Sequence, residues 1–339
     1  MIMKISMAMC KQPLPPSPAL DFPPARFGPS NMLTLNPYGP KDKVVVIMGA
    51  TGTGKSRLSI DLATRFRAAE IINSDKIQVH QGLDIVTNKI TSEESCGVPH
   101  HLLGVLPPEA DLTAANYRHM ANVSIESILN RGKLPIIVGG SNSYVEALVD
   151  DEENKFRSRY DCCFLWVDVA LPVLHGFVSE RVDKMVENGM VEEVREIFDY
   201  SDSNYSRGIK KAIGVPEFDK FFRNERFLNA GDRGELLRKV VEEIKRNTFG
   251  LACKQREKIE RLRKVKKWCI QKLDATPVFT KQRRSKTDAD VAWERLVAGP
   301  GTIAVSRFML DIASHRPLVE ASTGVAAARE REMSRCLVA

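Results

Sequence analysis

The stretch with the plainest chemical meaning is Gly49-Ala50-Thr51-Gly52-Thr53-Gly54-Lys55-Ser56. It fits G-x-x-x-x-G-K-[ST], a pattern that cradles phosphates. Glycines let the backbone curl so that several N–H groups point inward. The helix expected to follow adds its free N–H groups and the positive end of its dipole. Lys55 brings a full charge, and the Ser56 hydroxyl can hold Mg²⁺. The phosphate-binding set is therefore Gly49, Ala50, Thr51, Gly52, Thr53, Gly54, Lys55 and Ser56. Such a site takes a di- or triphosphate; the loop alone does not say whether that phosphate is attacked or serves only as a handle.

Asp75 comes next. It closes the apolar run Ile71-Ile72-Asn73-Ser74-Asp75. A carboxylate just past a buried strand, beside a phosphate loop, suits a Mg²⁺ ligand or a general base. It also suits a turn or helix N-cap, and spacing leaves all three open. Asp168 ends a second apolar run and is a weaker metal candidate, better read as a loop or cap residue. His100 and His101 are adjacent, so in a strand they point to opposite faces. With no Cys or carboxylate at ligand spacing they are read as structural. Arg181 could reach a second phosphate or simply face solvent.

These groups need a scaffold that brings strand ends together. Val44–Met48, Glu70–Asp75, His100–Leu106, Leu134–Val138 and Cys163–Val169 read as strands, with helices over Ser56–Arg67 and Thr113–Arg131 between them. Near-continuous apolar strands alternating with helices predict a mostly parallel sheet covered on both faces. Ligands sit at the carboxyl ends of such strands. Gly49, Asp75 and Gly139-Gly140-Ser141 all fall there. Beyond residue 170 the pattern turns helical. One long basic helix spans Asp232 to Lys267, weakened at Gly250, and a polar linker follows at Lys281–Lys286.

The chain has 339 residues, 43% hydrophobic and 27% charged, with a net charge of +7. That is an ordinary globular composition, and the charge favours polyanionic ligands. No run approaches the ~18 apolar residues of a membrane span. Seven scattered cysteines without a C-x-x-C pair argue against a disulfide framework or a zinc site.

Five motifs then stand in one order. They are Gly49–Ser56, Asn73–Lys89, Val98–Leu103, Gly139–Tyr144 and Arg181–Val194. Together they resemble the isopentenyltransferases that modify the N6 amine of adenine, over about residues 43–265. Within that superfamily the chain is most similar to the plant adenylate isopentenyltransferases, the cytokinin synthases. The stretch Asn247–Ile259 supports that branch, because Glu257-Lys258 stands where tRNA-modifying members carry Thr-Trp. The resemblance implies a P-loop NTPase-like α/β core with a smaller helical portion. It implies transfer of a dimethylallyl group from dimethylallyl diphosphate to the adenine of ATP or ADP, with AMP as a further acceptor. Asp75 then matches the base. Lys55, Ser56 with Mg²⁺, Thr51, Ser141 and Arg181 match groups that hold the departing diphosphate, and Lys89 matches a family lysine of less certain role. The basic helix would help hold the acceptor's phosphates.

Three other readings are carried forward. One is a tRNA dimethylallyltransferase, kept open by the basic helix. The others are a P-loop kinase or ATPase and a non-catalytic nucleotide-binding module. On the preferred reading the protein is a monomer with no stable nucleic-acid partner. The expected organisation is a disordered leader over 1–42, a domain over 43–280 with a helical insertion around 172–230, and a partly helical tail over 281–339. The acid-free, Pro-rich start suggests a transit peptide to the plastid. Cys336-Leu337-Val338-Ala339 fits C-a-a-X, which makes Cys336 a farnesyltransferase target. Prenylation would give a second pool in cytoplasm or nucleus.

Overall fold

The computed structural model describes residues 41–310 apart from 67, 154, 283 and 284. The expected leader and the Cys336 box lie outside the described residues. Six strands form one sheet: β1 (Asp42–Met48), β2 (Ala69–Asn73), β3 (His100–His101), β4 (Leu134–Val138), β5 (Tyr160–Asp168) and β6 (Ile270–Asp274). Their order is β3-β2-β4-β1-β5-β6, and every pair is parallel. β1 lies between β4 and β5, so its neighbours come from later chain on either side. Such a topological switch point opens a crevice at the strand's carboxyl end, and Gly49 follows directly there.

Alternation along the strands divides the sheet into two buried faces. Val44, Val46, Met48, Phe164 and Trp166 pack with α2 (Ala114–Asn130) and α3 (Asn142–Val149). Thr113 caps α2 by accepting from the Asn116 N–H at 3.1 Å, as its position before the apolar period predicts. A single helical turn, α4 (Phe156–Arg159), leads into β5. The opposite sheet face meets α1 (Lys55–Arg65).

A second core is built mainly from helices. α5 (Leu171–Glu187), α6 (Met190–Glu196) and α7 (Val215–Asn224) bury Val182, Met190, Phe218 and Phe222 there. α5 has Pro172 in its first turn and stops at Asn188, and Gly189 at φ +101° starts α6. This core is larger than the expected insertion at 172–230. It also takes in Leu83 and Val86 from the loop after β2, and Val240 and Ile244 from α8. α8 (Ala230–Lys264) is one unbroken helix of 35 residues, and Gly250 does not interrupt it. Its Val240 and Ile244 sit in the helical core, while Ile259 and Leu262 sit in the sheet core. The helix therefore ties the two cores together.

The end of the domain differs from expectation. After α9 (Thr276–Gln282), Ser285 caps α10 (Lys286–Trp293), a π-helical stretch covers Glu294–Ala298, and α11 runs Gly299–Met309. The compact unit continues to Val305, not residue 280. From Ser306 a separate unit begins, described only as far as Leu310. The reason is packing. Leu165 and Leu273 on the second sheet face need cover, and Gly301 lies close enough that a Cβ there would touch Leu58, Leu273 and Leu165 at 3.2 to 3.9 Å. Lys281 and Gln282 end α9 and Lys286 begins α10, so both ends of the polar run belong to helices of this unit.

Trp293 anchors this segment on α1. Its indole N–H donates to Asp61 Oδ2 at 2.6 Å, and the Arg57 guanidinium lies 4.7 Å from its ring centre. Arg57 pairs with Asp290 at 2.9 Å and Arg65 with Glu294 at 2.6 Å. A Cβ on Gly54 would stand 2.8 Å from the ring, so only glycine fits there. Trp293→Ala should cost about 3 kcal/mol in a urea titration, the usual loss for a buried aromatic. An unchanged midpoint would mean that α10 and the turn after it are not part of the core.

Candidate active site

The phosphate loop is braced by its own hydrogen bonds. The Ala50 carbonyl accepts from Thr53 Oγ1 at 2.9 Å and from Lys55 Nζ at 2.8 Å. Gly52 and Gly54 hold φ of +83° and +95°, which L side chains rarely adopt. At Gly49 a Cβ would collide with the Val167 carbonyl at 2.6 Å. Gly54 is the N-cap of α1 and supplies no side-chain cap, and no acidic residue lies in the first turn. The first-turn N–H groups therefore face the crevice with no acidic side chain in that turn. Ser56 stands exposed on that turn.

Two cations meet the loop. Lys55 is pulled down to about 8, first by burial and then by the Arg181 charge, while Asp75 acts in the opposite sense. Arg181 reaches from α5 and donates Nη2–H to Thr51 Oγ1 at 2.8 Å. Burial lowers it to about 10, and Asp75 again opposes the shift. Arg181 Nε is buried without a hydrogen-bond partner. Two enclosed positive charges are thus balanced within the site mainly by one carboxylate. An arriving dianion would restore both.

Asp75 sits just past β2 on a braced loop. The Ile77 N–H donates to Asp75 Oδ1 at 2.9 Å, and Asn73 accepts the Asp75 N–H at 3.2 Å. Asn73 Nδ2 bonds the carbonyls of Asp75 and Leu102. The loop after β4 lies against it. The Ser74 N–H donates to the Val138 carbonyl, and Gly139 approaches so closely that a Cβ would fall 2.4 Å from the Ser74 backbone. Ser141 belongs to this support, since its Oγ accepts the Lys76 N–H at 2.9 Å. Its contacts place it beside the Asp75 loop.

Lys55, Thr51, Arg181 and Asp75 are therefore brought together, with Ser141 next to Asp75. Lys89 is placed elsewhere. Its Nζ donates to the Gly82 carbonyl and pairs with Asp84 at 2.7 Å, closing its own loop. Asp168 is not poised for a metal, because it pairs with Arg256 at 3.1 Å and Lys272 at 2.7 Å. The histidines are structural as expected. His101 meets the buried Glu70 at 2.6 Å, and His100 bonds the Val98 carbonyl. Arg131 and Lys133 also grip Glu70 and, with His101, hold its carboxyl down at about 2 despite the burial that opposes them. Among the described residues no group of three or more His, Cys, Asp or Glu side chains could hold a metal ion.

The basic helix is spoken for in large part. Arg256 pairs with Asp168, Lys258 and Arg261 with Glu146, and Lys245 with Asp183. These charges hold the fold together, which weakens the expected role of α8 in gripping an acceptor's phosphates. Gln255 is the residue that motif reading undervalued. It lies buried on α8 between Ala252 and Ile259, and its amide accepts the Thr51 N–H at 2.7 Å. The signal was a polar residue at a buried position of a helical stripe.

The depressed Lys55 makes binding pH-dependent. A bound diphosphate favours the charged ammonium, so it raises the Lys55 pKa and its affinity must fall as pH climbs above 8. Calorimetric titration with inorganic diphosphate should lose up to about tenfold in affinity per pH unit over that range. Lys55→Met should bind weakly with a flatter profile. The ligand-free protein has the opposite trend from this group. Its native form deprotonates first, so stability rises between about 8 and the ordinary lysine value of 10.5. A wild-type affinity that stays level across that window would show that Lys55 does not contact the diphosphate.

Comparison with known proteins gives this geometry a family. Residues 78–157 and 150–261 match the family model described as IPP transferase. Over all 339 residues, 100% of both chains, the sequence is 89% identical to adenylate isopentenyltransferase 3, chloroplastic, of Arabidopsis thaliana. It is 58% identical to adenylate isopentenyltransferase 5, chloroplastic, of the same plant, over 82% of this chain and 84% of that one. A solved eukaryotic dimethylallyltransferase acting on tRNA superposes with a TM-score of 0.66 at 23% identity, covering 83% of this chain and 82% of that one, a likeness of fold. The chain belongs to the IPP transferase family, within its adenylate isopentenyltransferases.

Proposed function

We propose that the protein transfers the dimethylallyl group of dimethylallyl diphosphate to N6 of the adenine of ADP or ATP. The observation that carries this reading is one loop-braced carboxylate, Asp75, beside a two-cation phosphate cradle. Phosphoryl transfer needs a carboxylate placed to hold the nucleotide's metal, and Asp168 is already held by Arg256 and Lys272. Prenyl transfer needs a base and a holder for a leaving diphosphate. The N6 lone pair forms the bond to the allylic carbon, and the carbon–oxygen bond to diphosphate breaks. The N6 proton passes to Asp75. The exocyclic amine is a poor nucleophile because its lone pair is delocalised into the ring, so removal of that proton matters. Lys55, Arg181 and the first-turn N–H groups of α1 stabilise the charge that develops on diphosphate.

Magnesium belongs to the same proposal. The donor set fits an ion carried in by the diphosphate, with the exposed Ser56 hydroxyl as its protein ligand. The ion would neutralise part of the leaving group's charge. Ser56→Ala should reduce the gain in diphosphate affinity that Mg²⁺ brings; an equal gain in both proteins would remove Ser56 from that role.

Incubation with labelled dimethylallyl diphosphate and either ADP or unmodified tRNA separates the two prenyl acceptors. Prenylated ADP is the expected product, and label found only in tRNA would overturn the choice of acceptor. Phosphate release from ATP without any prenylated product would point to a kinase or ATPase. Asp75→Asn should slow product formation by roughly two to four orders of magnitude while inorganic diphosphate still binds.

Residence in the plastid is proposed with the activity, supported by the name of the 89% identical relative. A second pool would depend on farnesylation of Cys336. A reporter fused on the N-terminal side of a Cys336→Ser variant tests it, and an unchanged distribution would count against that pool.

A further inference from the structure

We infer that Gln255 is a positioning residue that sets the separation between the diphosphate loop and the loop carrying Asp75. The inference rests on the prenyl-transfer reading. One planar amide bridges the two loops. Its Oε1 accepts the Thr51 N–H at 2.7 Å, and its Nε2 donates to the Gly140 carbonyl at 3.0 Å. Gly140 separates Gln255 from the base. A Cβ built on Gly140 would stand 2.3 Å from Gln255 Nε2 and 3.4 Å from Asp75 Oδ2. A side chain at Gly140 would push into the amide, so only glycine lets its backbone lie between Gln255 and Asp75.

The bridge is held on a stiff support. Asn142 Nδ2 donates to the Gln255 backbone carbonyl at 3.1 Å, which ties the start of α3 to α8. Ala252 and Ile259, on the same face of α8, are fully buried. Gln255 itself is 8% exposed, so water does not replace either bond readily. An amide is required because it both accepts and donates. A carboxylate accepts from Thr51 but cannot donate to Gly140 until it is protonated. A thioether does neither.

The consequence is geometric. Donor diphosphate is fixed by the loop that contains Thr51, and the acceptor amine is met by Asp75. Reaction needs their separation to be right within a fraction of an ångström. Gln255 touches neither reacting group. It also takes up the Thr51 N–H, so diphosphate relies on Lys55, Arg181 and the first turn of α1. Loss of the bridge should therefore leave binding and impair turnover.

The test uses the full chain with ADP and dimethylallyl diphosphate, and calorimetry with inorganic diphosphate. Gln255→Met should lower kcat roughly 10- to 100-fold, with both KM values and the diphosphate Kd moving less than about threefold. In an Asp75→Asn background the same substitution should lower the residual rate less than about threefold, since no carboxylate is left to position. Gln255→Glu adds a readout that a purely structural role would not move. Its kcat relative to wild type should rise as pH falls, because the protonated carboxyl regains a donor for Gly140. A kcat within about twofold of wild type for Gln255→Met, a parallel loss of diphosphate affinity, an equal loss in the Asp75→Asn background or a pH-independent ratio would each overturn the inference. A wild-type enzyme that makes no prenylated ADP would overturn the underlying reading, and the inference with it.

Discussion

Two half-buried cations set against one carboxylate are the constraint on which the rest of the site depends. Lys55 and Arg181 are both lowered by burial, and Asp75 is the charge that opposes the shift on each. Enclosing such charge costs free energy unless a counter-ion compensates it. The fold bears that cost by surrounding the cations with fixed contacts: Ala50 for Lys55, Thr51 for Arg181, and Gly140 set between Gln255 and Asp75. A diphosphate completes the balance. Its formation as a leaving group is favoured for the same reason, because donors already in place need no reorganisation as charge develops.

Everything else holds these contacts in register. The parallel sheet places the ends of β1, β2 and β4 side by side, so Gly49, Asp75 and Gly140 share one crevice. Arg181 comes from α5, whose far side packs in the helical core. α8 joins that core to the sheet core and carries Gln255 past the site between them. α10 braces the phosphate loop from behind, where Trp293 packs on Gly54.

Local pattern made much of this legible in the sequence. Glycines followed by Lys-Ser after an apolar run identify the loop, and Asp75 follows another such run. β2 and β4 are fully buried, so they appear as near-continuous apolar runs. What stayed hidden depends on distant partners. Ser141 also braces the Asp75 loop, because its hydroxyl accepts the Lys76 N–H across 65 residues while its own O–H remains a donor. Lys89 enters only through the family resemblance, and its partners lie in its own loop, at Gly82 and Asp84. The charges of α8 suggested RNA or nucleotide, and many meet carboxylates contributed by other elements. β6 is hidden because Ile270–Asp274 alternates with polar residues at a sheet edge, and the helical stretch at 285–305 reads as part of a tail because the run before Ser285 is highly charged.

The central claim is that the Gly49–Ser56 loop holds the departing diphosphate while the nucleotide presents its base to Asp75. A crystal structure with ADP and an unreactive thio-analogue of dimethylallyl diphosphate tests this directly. The account predicts the donor's diphosphate against Lys55 and Arg181, with adenine N6 within hydrogen-bond distance of Asp75. The phosphates of ADP seated in the loop, with the adenine turned away from Asp75, would contradict it.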